Sequence, residues 1–158
     1  MYIIADMSLQ HPKIASFEKR LKTIFDMLDH ELELKYKGRF ALHPARPKRG
    51  TTADPSADGL FDIGATFTAG FGSEHGRGYT IQARIATLGQ TDAKTIQTVE
   101  KFIVKRLNEE LPREFPERKL QVLRDGNVYK IVGDLGIKPA KSAIATPHDK
   151  SKSQQGKS

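Results

Sequence analysis

Along this chain the spacing of apolar residues is first helical, then alternating, then helical again and finally alternating again. This order restricts the fold more than any other feature. Between Pro12 and Tyr36 the apolar residues recur every three or four positions, which is the period of an amphipathic helix. Pro12 suits the first helical position, where its missing N–H has no partner. Gly38 favours the left-handed conformation that ends a helix. The predicted buried stripe is Ile14, Phe17, Leu21, Ile24, Phe25, Leu28 and Leu32.

A strict alternation replaces the helical period from Phe61 to Phe71, where every second residue is apolar. Alternation with a period of two is typical of a strand with one buried face. It resumes from Tyr79 to Ile85 after a glycine-rich segment, so we predict a hairpin. We expect its other face to meet water or a partner. That polar face would carry Thr66, Thr68, Thr80, Gln82 and Arg84.

A second helix and a second hairpin follow. Thr91 or Asp92 can cap the helix, and Pro112 is expected to end it. Its predicted buried stripe is Ile96, Val99, Phe102, Ile103, Leu107 and Leu111. Asp125-Gly126 then favours a two-residue type I′ turn. That turn would pair Leu120 with Ile131 and Val122 with Tyr129.

These elements predict an α+β two-layer sandwich in the order αββαββ. Two helices on one face of a four-stranded, mostly antiparallel sheet would bury every apolar stripe. We assign the single domain to residues 1–137. Residues 138–158 contain Ile144 as their only large aliphatic side chain, and we expect them to form a disordered basic tail.

The net charge of +7 at pH 7 is unevenly distributed. Residues 138–158 hold five lysines and one aspartate, a charge of +4, which leaves +3 for residues 1–137. The folded part is therefore close to balanced, and the basic tail is either a solvated terminus or an arm that follows phosphates.

Composition also restricts the chemistry. The chain contains no cysteine, which excludes disulfides and thiolate metal sites. The five histidines show no H-x-H or H-x-x-x-H pair, so we predict no metal, no cofactor and no catalytic set. No apolar stretch approaches the roughly 18 residues of a membrane span, and we expect a cytoplasmic protein with no membrane partner.

Two unusual connections carry the candidate binding residues. Residues 39–59 include three prolines and no regular period, and their segment 43–52 is rich in basic and hydroxyl groups that suit phosphate oxygens. Residues 70–78 hold four of the thirteen glycines, which indicates unusual backbone conformations or close approach. Each segment can equally be an ordinary solvated loop. The candidate anion- or nucleic-acid-binding residues are Arg46, Lys48, Arg49, Thr51, Ser73, His75, Arg77 and Arg84.

The leading functional hypothesis is a small basic binding protein that contacts RNA, DNA or a ribonucleoprotein through these residues and the lysine-rich tail. One alternative is a small enzyme or metabolite-binding protein that holds an anionic ligand between residues 43–52 and 72–78. A second alternative is a homodimeric interaction protein. The leading hypothesis and the first alternative require the segments around Arg49 and His75 to converge on one exposed patch.

Overall fold

A computed structural model describes residues 11–135, and its elements follow the αββαββ order that the spacing predicts. The proposed tail, residues 138–158, lies outside the described residues. The helices are α1 (Pro12–Lys35) and α2 (Ala93–Glu114), and a short 3-10 helix spans Pro55–Ala57. The strands are β1 (Phe61–Thr68), β2 (Gly78–Ile85), β3 (Leu120–Asp125) and β4 (Val128–Gly133).

Helix α1 begins and ends where its sequence signals indicate. The Nδ1 of His11 accepts a hydrogen bond from the backbone N–H of Lys13 and caps the first turn. Gly38 has a φ of +79°, which is the left-handed conformation expected after a helix. The predicted stripe from Phe17 to Leu32 is buried.

Helix α2 begins after Asp92, whose carboxylate accepts a hydrogen bond from the N–H of Thr95. The prediction that Pro112 ends this helix is wrong, because α2 continues through Pro112 to Glu114. Tertiary packing explains the extra residues. Leu111 and Phe115 are almost completely buried, and the Phe115 ring lies 4.8 Å from that of Phe17.

The four strands form one sheet in the order β1-β2-β4-β3, and every neighbouring pair is antiparallel. Both helices pack on one face, which we call the inner face. The opposite, outer face carries Asp62, Thr66, Thr80, Gln82 and Arg84 on the first hairpin. This two-layer arrangement confirms the predicted fold class.

The register of the second hairpin corrects the predicted one. Val122 pairs with Ile131, and Asp125 pairs with Val128, so the two turn residues are Gly126 and Asn127. Gly126 has a φ of +67°, whereas no residue other than glycine has a positive φ among residues 11–135. A glycine at the first central position is typical of a type II′ turn rather than type I′. The shift of two positions keeps each side chain on its predicted face.

Strand β1 is shorter than the alternation predicts, because it ends at Thr68 rather than Phe71. Gly70 adopts a φ of +72°, which interrupts the extended backbone after the strand. Two aromatic rings of the predicted buried face are consequently accessible. Phe67 is 49% exposed and Phe71 is 94% exposed.

Candidate functional site

The two candidate segments lie at opposite ends of the β1–β2 hairpin. The guanidinium of Arg46 contacts the carbonyl oxygen of Phe61, at the start of β1. The N–H of Gly70 donates to the hydroxyl of Thr68, at the end of β1. Phe61 and Thr68 are the first and last residues of β1, so the structure does not bring the segments around Arg49 and His75 together. The convergence that both the nucleic-acid hypothesis and the anionic-ligand alternative required is therefore absent, and one ligand would have to span β1 to contact both residues 43–52 and residues 72–78.

Arg46 holds together the connection that precedes β1. Its Nε donates to the carbonyl of Gly59 at 2.9 Å. Its Nη2 donates to the carbonyls of Ser56, Asp58 and Phe61 at 2.7, 3.2 and 3.1 Å. These four bonds leave the two hydrogens of Nη1 for other acceptors. Arg46 is thus a fixed cation at the surface of the fold.

Arg49 contacts two buried carboxylates, while 31% of its side chain remains exposed. Its Nη1 lies 2.6 Å from Oδ1 of Asp29 and 3.6 Å from Oδ1 of Asp58. Asp58 also accepts hydrogen bonds from the N–H groups of Gly50 and Thr52 and from the Thr52 hydroxyl. These bonds, together with the positive charge of Arg49, lower the pKa of Asp58 although burial raises it. Arg49 therefore stabilises the connection against α1.

Asp29, which lies beside Arg49, has an unusually high pKa for an aspartate. Burial, together with the negative charges of Glu33 and Asp26, raises the pKa of Asp29 to about 7 although Arg49 lies beside it. Its Oδ2 is buried and has no hydrogen-bond partner. The sequence contained a signal for this position, because Asp29 lies four residues after Phe25 on the buried stripe.

Residues 69–77 fold back over the outer face of the sheet and cover a buried ion pair. Nζ of Lys130 lies 2.7 Å from Oδ2 of Asp125 and also donates to Oγ of Ser73 and the carbonyl of Gly76. Asp125 accepts the backbone N–H groups of Glu74 and His75. We call residues 70–76 the glycine loop; its polar groups bind the sheet beneath it.

The hydrogen bonds from Lys130 and from the two loop amides lower the pKa of Asp125 to about 2, against the opposing effect of burial. Sequence reasoning missed both members of this pair. A signal was present in Val128 and Val132, which lie two positions before and two positions after Lys130 and so share its face. A strand with apolar residues on this face as well as on the opposite one is typically covered on both faces.

The remaining candidates occupy different surroundings. Lys48 is exposed, and Thr51 donates its hydroxyl to the carbonyl of Lys48. Nε2 of His75 lies 4.0 Å from Oε1 of Glu74. Arg77 is exposed where the glycine loop meets β2. Ser73 bonds within the glycine loop and to Lys130.

Two candidate residues do converge, together with a histidine, around a shallow depression of about 240 Å³. His43, Arg46 and Arg84 line it, with Thr87 at its margin. Nη2 of Arg84 lies 3.1 Å from Oδ2 of Asp62, while the Arg84 side chain remains 61% exposed. Nδ1 of His43 accepts the N–H of Ala45, which leaves Nε2 as the other polar atom of the ring. We call this place the arginine depression; it can offer several N–H donors to one anion.

A larger groove of about 510 Å³ lies between α1 and β1. Leu21, Phe25 and Ile63 contribute apolar surface to it. Two polar side chains of its lining bond to each other, because the hydroxyl of Tyr79 donates to Oε2 of Glu18 at 2.7 Å. Burial and this carboxylate raise the pKa of Tyr79, so the hydroxyl stays protonated.

Residues 11–135 contain no cluster of metal ligands and no helix that could cross a membrane. That part of the chain contains no group of three or more histidine, aspartate or glutamate side chains placed to hold a metal ion. Neither α1 nor α2 combines the length and apolar character that crossing a membrane requires.

The comparisons with known proteins cover almost the whole described region. A sequence model of the family described as "Uncharacterised protein" matches residues 12–133. A relative from Borreliella burgdorferi, described as "Uncharacterized protein", is 40% identical over 121 residues. The alignment covers 77% of this chain and 94% of the relative. No solved structure matches the chain.

Proposed function

We propose that this chain, which belongs to the family of uncharacterised proteins whose model matches residues 12–133, binds nucleic acid and contacts phosphate at the arginine depression. The observation that carries the proposal is the convergence of Arg46, Arg84 and His43 on one open surface. Guanidinium groups suit phosphate oxygens because their charge is permanent and their donors are planar and paired.

Preorganisation supports this assignment. Four carbonyl oxygens hold the guanidinium of Arg46, so its charge does not need to be ordered when a ligand arrives. Its Nη1 hydrogens are not used in those bonds. The Nδ1 of His43 is occupied by the Ala45 amide, and we infer that Nε2 carries the ring hydrogen and donates it to a phosphate oxygen.

The neighbouring surface fits an extended ligand better than a small metabolite. The depression is open, and the outer face continues from Arg84 through the side chains of Gln82 and Thr66, which lie 3.3 Å apart. These side chains are polar and uncharged, so they do not repel phosphates. Asp62 is the acidic residue on the outer face of β1 and β2, and Arg84 offsets its charge. The exposed Glu74 lies beyond this face, in the glycine loop.

The test is binding of a fluorescein-labelled 20-nucleotide oligouridine and of a labelled 20-base-pair DNA duplex, measured by anisotropy across a range of KCl concentrations. We expect Arg84→Gln to weaken binding and to reduce the slope of log affinity against log salt by about one. Asp62→Asn should have the opposite effect on affinity, because it removes a negative charge and releases a guanidinium donor.

Arg113→Gln is the matched control. Arg113 is also an exposed arginine bonded to one carboxylate, that of Glu110, but it lies on α2. The same affinity for Arg84→Gln, Arg113→Gln and the unaltered protein would contradict the proposal. Binding that does not change with salt, or no binding to either probe, would contradict it as well.

We propose self-association through the free edge of β1 as a second candidate. β1 lies at one end of the strand order, and Phe67 is half exposed beside the groove along α1. Unprotected strand edges readily pair with another copy. Sedimentation equilibrium should then show a dimer that Phe67→Glu dissociates and Leu34→Glu, a change at an exposed leucine of α1, does not. A monomer at all concentrations would reject this candidate.

A further inference from the structure

The most exposed large apolar side chain of the described residues is Phe71, with 94% of its surface accessible. It lies in a four-residue turn from Gly70 to Ser73, closed by a hydrogen bond of 3.0 Å from the Ser73 N–H to the Gly70 carbonyl. Gly72 has a φ of +77°, as the third residue of a type II turn requires. Phe71 therefore occupies the second position, at the corner of the turn.

The turn that carries Phe71 is anchored rather than loose. The hydroxyl of Ser73 bonds to the carbonyl of Gly70 and accepts a hydrogen bond from Lys130, whose side chain is buried. A Cβ on Gly70 would overlap the carbonyl of Gly76, which shows how closely the two ends of the glycine loop approach. The aromatic side chain is thus presented from a fixed backbone.

The glycine loop, which carries Phe71, and the arginine depression lie on the same side of the sheet. The glycine loop covers Lys130, which pairs with Thr80 and so belongs to the outer face. Arg84 lies four residues after Thr80 on β2 and therefore belongs to the same face. Thr68 lies six residues after Asp62, the partner of Arg84, and at about 3.3 Å per residue this distance is roughly 20 Å.

We infer that Phe71 is a stacking platform for an unpaired base, so that the ligand of the arginine depression is single-stranded nucleic acid running along the outer face of β1 and β2. This inference rests on the proposed function. An aromatic ring stacks on any base, because every base has a π-face, but a base within a duplex already has two stacked neighbours. A length of roughly 20 Å suits a short site, near the lower end of the roughly 4–16 nucleotides that single-strand-binding folds contact.

The composition of the surface between the two ends agrees with this path. Thr66 and Gln82 offer hydroxyl and amide groups, and both are exposed. Neither aromatic nor acidic side chains interrupt the outer face between Arg84 and the glycine loop, since Phe67 belongs to the inner face. The ligand would contact positive charge at one end and an aromatic ring at the other.

The experiment compares Phe71→Ala, Phe71→Trp and the control Leu34→Ala in the full chain, with the oligouridine and duplex probes described above. Leu34 is 62% exposed on α1. We expect Phe71→Ala to weaken oligouridine binding about tenfold and duplex binding less than twofold, with an unchanged Tm. Leu34→Ala should bind like the unaltered protein.

Phe71→Trp provides a second readout. The chain has no tryptophan, so the tryptophan fluorescence of this variant comes from the indole at position 71, and stacking on uracil should quench it. Unquenched fluorescence at saturation, or oligouridine binding by Phe71→Ala within twofold of the unaltered protein, would overturn the inference. If Arg84→Gln still weakened binding, the proposed function would stand without it; no binding to either probe would reject both.

Discussion

Asp125 and Lys130 form an ion pair of 2.7 Å on the outer face of the sheet, and less than a tenth of either residue is exposed. Buried charges persist in folded proteins when other groups satisfy their remaining hydrogen bonds. The glycine loop does this here, with one hydroxyl, one carbonyl and two amide groups. The glycine loop therefore stabilises the fold, and this role does not depend on any binding site.

Replacing Lys130 tests that role. Lys130→Met leaves the carboxylate of Asp125 buried without its cation, and we expect a loss of about 3 kcal/mol in the free energy of unfolding. The glycine loop should also become sensitive to proteases. Urea unfolding and limited proteolysis measure the two effects. The exposed Lys119 provides the control, since Lys119→Met should change neither; equal stability of the two variants would contradict a structural role for the pair.

Gly70 and Gly72 offer a comparison in which backbone conformation is held constant. Their φ angles are +72° and +77°, so alanine is strained at both positions. A Cβ at position 72 meets open space, whereas one at position 70 overlaps the backbone of Gly76. Gly72→Ala should cost about 1 kcal/mol, and Gly70→Ala should cost several times more. Equal costs in urea unfolding would mean that the loop is not closed as described.

The elements of the fold could be predicted because their apolar spacing is long and regular, as in α1 and β2. The end of α2 could not, because Pro112 is a strong local stop signal that the packing of Phe115 against Phe17 overrides. The end of β1 was hidden by Phe71, which continues the alternation although the chain has already turned at Gly70. A contact distant in sequence decided the end of α2, and a left-handed glycine decided the end of β1.

The candidate site was harder to predict than the fold, since a charged residue in a loop gives no sign of its partners. Arg46 and Arg49 have similar sequence surroundings, yet Arg46 contacts four carbonyls and Arg49 contacts two buried carboxylates. The pairing of Lys130 with Asp125 depends on a register that differs from the predicted one by two positions. Both registers place the same side chains inside, so periodicity alone cannot choose between them.

The register of the second hairpin leads to its own test. In the observed type II′ turn the left-handed residue is Gly126, and Asn127 has a negative φ. Gly126→Ala should therefore cost about 1 kcal/mol or more, while Asn127→Ala should stay within about 0.5 kcal/mol of the unaltered protein. Thermal unfolding measures both. A large cost at Asn127 would indicate that this residue is left-handed as well, as in a type I′ turn over Gly126 and Asn127.

Asp29 predicts a pH dependence that differs in sign from that of most carboxylates. Its pKa is about 7 in the folded protein, where burial and the charges of Glu33 and Asp26 outweigh Arg49, against an ordinary value of 3.8. Asp58 packs against the same guanidinium from the loop, and its own pKa is lowered, so it stays charged throughout this range. Between pH about 4 and about 7 the native state holds a proton that the unfolded chain has lost.

Stability therefore falls as pH rises through that window and levels off above about 7, because the slope follows the difference in bound protons between the unfolded and native states. The carboxylates with pKa values of about 2, Asp54 and Asp125, act in the opposite direction and only below about pH 4. Asp29→Asn should remove most of the decline, since an amide keeps an oxygen for Arg49 and does not ionise. Urea midpoints measured from pH 5 to pH 8 that fall equally in both proteins would show that another group binds the proton.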